Sequence, residues 1–161
     1  MKKILGLLIV LLILSACQSD SQKDWSQLDL LEYGVPLTIA APDSVKVEKM
    51  SFGSIQDDIT IVDEEENYSI QIYASDANTN DIAKVKADQL SSVKTNRYFS
   101  KIVEEEEQGF IYETAIDSII SYGFRHIEIQ GDREYIFQTG LIGTFTLEEV
   151  KRMYDAVKLA E

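Results

Sequence analysis

Four segments in the second half of the chain, 100–107, 110–116, 121–130 and 134–142, are rich in β-branched and aromatic residues and stand only a few residues apart. The junctions Gln108-Gly109, Asp117-Ser118 and Gly131-Asp132-Arg133 have turn composition. Connections this short cannot carry a crossover, which takes a dozen residues or more, so the four segments are expected to pair antiparallel. Thr146 then has the signature of a helix start. Glu149 follows three residues on as in a capping box, and Phe145 and Val150 hold the hydrophobic-staple positions. The helix carries a stripe of Leu147, Val150, Tyr154 and Val157, and that stripe needs a sheet to cover it.

The first half repeats this logic. Residues 37–39 and 45–50 are short strand candidates separated by a Pro42-Asp43 turn, and residues 59–62 and 68–73 form a hairpin about the turn at 63–67. After the breaker at 76–80, Ala83, Ala87, Leu90 and Val93 recur at helical spacing, with Lys84, Lys86 and Asp88 largely facing away. Strands, helix, strands and a closing helix define an α+β domain with a largely antiparallel sheet and two main helices. Tyr33-Gly34-Val35-Pro36 marks its expected opening, giving one domain over 33–161. The element order resembles the PsbP-like α/β/α sandwich over roughly 33–160. That resemblance implies a sheet between helical layers and no particular activity, because function resides in sites and not in folds.

The amino terminus points to a location. Lys2 and Lys3 precede an apolar run from Ile4 to Leu14, which closes on Leu14-Ser15-Ala16-Cys17 with the chain's only cysteine. The pattern resembles the signal peptide and lipobox of a bacterial lipoprotein. The resemblance implies removal of residues 1–16 and a diacylglyceryl thioether on Cys17, with further acylation of the new amino terminus. Eleven apolar residues rise about 16 Å as a helix, roughly half of a ~30 Å hydrocarbon core, so the run is too short to span. Residues 17–32 are then expected to be the lipidated cysteine and a polar tether whose one bulky apolar side chain is Trp25. Two acyl chains or more would make the attachment stable. Gln18 lacks the aspartate that, in enteric lipoproteins, signals retention in the inner membrane.

Charge narrows the partners. Loss of residues 1–16 removes two lysines and no acid, taking the net charge from −13 to −15. Such a surface repels nucleic acid and anionic head groups, and it keeps a tethered domain soluble.

Catalytic signatures are few. His126 is the sole histidine, on a strand face shared with Phe124 and Glu128, and no Gly-x-Ser-x-Gly elbow accompanies it. Lipid on Cys17 would consume the one thiol. Gly140-Leu141-Ile142-Gly143 lacks the lysine and hydroxyl of a phosphate loop. The acidic runs 63–66 and 104–107 suggest calcium, yet neither has the spacing of a calcium loop, and consecutive glutamates on a strand face opposite ways. Charge at a turn or a sheet edge is the simpler expectation. Tyr112, Tyr135 and Tyr154 fit core packing better than a sugar-stacking platform. Asp43-Ser44-Val45 and Asp117-Ser118-Ile119 resemble a short O-glycosylation motif of some Gram-negative bacteria.

The resulting expectation is a membrane-anchored, non-enzymatic envelope lipoprotein, with no cofactor or metal site, that binds a protein partner or supports an envelope complex. The alternative is a capture module for a glycan, peptide or cation.

Overall fold

The computed structural model describes residues 25–158. Cys17, the lipobox and the first half of the expected tether, residues 17–24, lie outside them. Among the described residues, nine strands and two α-helices follow in the order β1 (Ser26–Asp29), β2 (Thr38–Ala41), β3 (Lys46–Phe52), β4 (Gln56–Asp63), β5 (Tyr68–Asp76), α1 (Ile82–Lys94), β6 (Phe99–Glu105), β7 (Gly109–Ile116), β8 (Ile119–Gln130), β9 (Arg133–Thr139) and α2 (Leu147–Lys158). The fold is α+β. Seven strands form one antiparallel sheet in the order β3-β4-β5-β9-β8-β7-β6, and β1 pairs with β2 in a second, two-stranded sheet. Among the described residues, no helix is long and apolar enough to cross a membrane.

The two helices lie on opposite faces of the large sheet, as side-chain alternation in β8 makes plain. Phe124 and His126 meet Tyr154 of α2, whereas Ile127 packs with Val85 of α1. The main core lies under α2 and the small sheet, built from Ile59, Ile61, Ile70, Ile72 and Phe137 with Leu30, Ile39, Val150 and Val157. Entry into α2 follows the sequence pattern. The Thr146 amide donates to Glu149 Oε2 at 2.7 Å, and the Glu149 amide donates to Thr146 Oγ1 at 3.3 Å.

Three expectations need correction. The polar tether does not extend to residue 32: Ser26–Asp29 pairs with Thr38–Ala41, and Leu30 is fully buried. Strand β1 is polar because only Leu28 and the flanking Trp25 and Leu30 touch the core, which hides it from a periodicity argument. Trp25 docks edge-on against Tyr68 at 4.9 Å between ring centroids, with the Arg152 guanidinium 3.8 Å from its ring centre.

The buried stripe of α1 is also rotated from the expected one. Ile82, Val85 and Val93 face the sheet, while Ala83 and Ala87 are exposed. Isoleucine and valine remove more apolar surface from water than two alanines, and that difference sets the helix rotation. The last strand stops at Thr139 and not at 142. Gly140 passes so close to β5 that a Cβ there would lie 1.9 Å from Ser69 Oγ, and its amide bonds to the Ser69 carbonyl at 2.9 Å.

Candidate functional site

Helix α1 covers β8 and β9 and leaves the β3–β5 end of its face open. That uncovered area forms a groove of about 670 Å³, floored by outward residues of three strands and rimmed by the loop after β9. Lys46 and Glu48 come from β3, Thr60 and Val62 from β4, and Ser69 and Gln71 from β5. Leu141 and Ile142 stand on the rim, 78% and 89% exposed. The volume falls within the range of small-ligand and peptide-side-chain sites.

A polar row crosses the sheet beside the groove. Gln138 Nε2 donates to Gln71 Oε1 at 2.7 Å, and Gln71 Nε2 donates to both carboxylate oxygens of Asp58, at 2.9 and 2.8 Å. Gln71 and Gln138 are directly opposed in the β5–β9 register, and Gln138 is opposed to Arg125 across β9–β8. Burial, followed by the Asp58 charge, pushes the Tyr73 hydroxyl up. Arg125 reaches across to the Tyr112 ring, 5.8 Å from its centre. Two buried glutamines on otherwise apolar strands cost stability unless bonded, and here each satisfies the next. The row is therefore a fixed donor and acceptor array at the end of an open groove. Its sequence signal is weak, since Gln71 sits between Ile70 and Ile72 and reads only as an interrupted strand.

His126 lies elsewhere, on the opposite face under α2. Its ring is 2% exposed, with Nε2 2.9 Å from Glu128 Oε1 and the Phe137 and Tyr154 rings about it. Its Nδ1 has no hydrogen-bond partner among the described residues. No path for substrate reaches a ring so covered.

The two acidic runs have separate structural tasks. Asp63 is buried, and its Oδ1 accepts from the Glu65 and Glu66 amides at 2.9 and 3.0 Å, closing the β4–β5 turn. The Ser44 hydroxyl donates to the same carboxylate, so the serine of the first glycosylation-like motif is engaged. In the second run, alternation sends neighbouring glutamates to different helices. Glu104 pairs with Lys151 of α2 at 2.8 Å, and Glu105 with Lys86 of α1 at 3.3 Å. Glu106 returns to α2, pairing with Lys158 at 3.1 Å and accepting from Tyr154 Oη at 3.2 Å. The run fastens both helices to the edge at β6, a strand whose pairing with β7 is itself twice interrupted by register shifts. Among the described residues, no three His, Cys, Asp or Glu side chains converge as a metal site.

None of the eight tyrosines is exposed, and Tyr68, Tyr135 and Tyr154 are core. The chain matches no known protein-family model, and no curated protein resembles it closely enough to count as a relative.

Proposed function

We propose that this chain is a lipid-anchored, non-enzymatic binding module of the bacterial envelope, held through Cys17, and that its groove receives an extended segment of a protein partner. The observation that carries the reading is the groove beside β3. Strand β3 is an edge of the large sheet, so its outer backbone groups can pair with an incoming strand while alternate side chains of that strand drop into the groove. Lys46, Glu48 and Lys49 on this edge deter indiscriminate pairing and favour a partner of complementary charge pattern. Tethering concentrates such a module near its partner without any new contact. Burial of His126 supports binding over hydrolysis, and the lack of an exposed tyrosine among the described residues disfavours sugar stacking. Helices on both faces of one sheet are what a likeness of fold to the PsbP-like sandwich would require, and that likeness carries no activity.

Two variants test the reading. Cys17→Ser should leave an unlipidated precursor, and wild-type protein that partitions into the aqueous phase on detergent separation would overturn the anchor. Thr60→Arg, placed on the groove floor, should weaken partner binding about tenfold or more, equal to about 1.4 kcal/mol, with the fold intact by circular dichroism. Unchanged binding in Thr60→Arg would remove the groove from the account.

A further inference from the structure

The described chain begins at one particular end of the sheet. Trp25 packs on Tyr68 at the start of β5, and Ser26 pairs with Ala41, so the tether leaves beside the β4–β5 turn. Two exposed apolar tips occupy the same end. One is Leu141-Ile142, which shares the groove with Asn67 and Tyr68. The other is the β7–β8 hairpin, whose tip carries Ile116, Ile119 and Ile120, 47%, 60% and 54% exposed. The two are joined at their bases: the Phe145 amide donates to Ser121 Oγ at 3.0 Å, and the Tyr122 amide donates to the Phe145 carbonyl at 3.0 Å. Five exposed aliphatic side chains thus project from the end of the molecule at which the tether leaves.

We propose that this end rests on the lipid bilayer, with Leu141, Ile142, Ile119 and Ile120 dipping into the head-group boundary as a second, non-covalent membrane contact. The proposal rests on the lipid anchor at Cys17. Eight residue steps separate Cys17 from Trp25, a reach of at most about 29 Å for a fully extended chain. Strand β4 alone spans roughly 26 Å. Turning the opposite end of the sheet to the bilayer would stretch those eight residues to their limit along the whole domain, at a large loss of chain entropy. With the tether end down, the distance to the bilayer falls well within that reach, and the isoleucines meet the head-group boundary. Exposed Glu64 and Glu65 share this end, so the contact suits zwitterionic lipid and is shallow.

The test places a single environment-sensitive fluorophore on the full-length lipidated protein in phosphatidylcholine vesicles containing brominated acyl chains. Ile142→Cys and Ile119→Cys report on the proposed contact. Ile55→Cys, 78% exposed at the β3–β4 turn on the opposite end, is the control. Vesicle flotation reads the anchor separately: protein that fails to float overturns the lipidation reading itself. In protein that floats, Ile142 and Ile119 probes should be blue-shifted and quenched severalfold more than the Ile55 probe. Equal quenching at all three sites, or none at any, overturns the proposed orientation while leaving the anchor standing.

Discussion

Replacing Val150 by aspartate attacks the contact that makes α2 part of the domain. Val150 is fully buried in the main core, one turn into the helix and directly after the Thr146–Glu149 capping box. Exposing a valine's worth of apolar surface costs about 1.5–3 kcal/mol. A carboxylate at the same place must either stay charged without a partner or take up a proton, adding several kcal/mol. The sum, on the order of 4–6 kcal/mol, is comparable with the whole stability of an ordinary domain, ~5–15 kcal/mol. Urea denaturation followed by tryptophan fluorescence suits the question, because Trp25 packs on Tyr68 and under Arg152 of α2. The midpoint should collapse for Val150→Asp and fall by an intermediate amount for Val150→Ala. Lys151→Ala, half-exposed and paired only at the surface with Glu104, should move by less than about 1 kcal/mol. A Val150→Asp protein as stable as wild type would mean that α2 does not pack as described.

Gly109→Ala should destabilise by about 1–3 kcal/mol, because the new Cβ would lie 2.4 Å from the Arg125 carbonyl oxygen and 2.6 Å from Tyr154 Oη; thermal melts measure it. Acid should weaken the fold in a defined window. Hydrogen bonds from Ser100, with Lys101, hold Glu113 below the usual carboxylate range, and at Glu149 bonds from Asn67 and Thr146 outweigh the upward push of burial. Groups depressed in the folded state contribute stability above their unfolded pKa, about 4.3, and that contribution disappears as pH falls through their folded values. Melting temperature should therefore hold steady from neutral pH to about 5 and drop below about 4.3, less steeply in Glu149→Gln. Glu106→Gln should loosen α2 at the β6 edge by about 1 kcal/mol or less, since its bond to Lys158 is half-exposed, and amide exchange in the last turn of α2 should report it.

Much of the architecture is legible in the amino-acid order, and the reasons are local. Asp117, with a φ of 54°, and Gly131, with 64°, supply the left-handed backbone that the β7–β8 and β8–β9 turns require, and both turns fall where short-range chemistry places them. The helix α2 begins at its capping box for the same reason. What sequence reasoning misses depends on distant partners. Strand β1 exists because β2 supplies its hydrogen bonds, and the rotation of α1 depends on which side chains meet Ile127 and Ile136. The groove is less legible still. Gln71 and Gln138 lie sixty-seven residues apart and become one array only when β5 and β9 pair. Acidity misleads in a related way: Glu104, Glu105 and Glu106 are a charge run in sequence and three separate fasteners in space.

Photo-crosslinking in intact cells asks whether a membrane-held module binds a protein segment in the β3–β5 groove. A photoreactive phenylalanine analogue at Thr60 lies on the groove floor, and one at Ala87 on the exposed face of α1 serves as the control. A discrete adduct is expected from Thr60 in the membrane fraction, weak or missing from Ala87 and lost with the Cys17→Ser anchor variant. Crosslinking at Ala87 in place of Thr60, or a Thr60 adduct undiminished by Cys17→Ser, would contradict it.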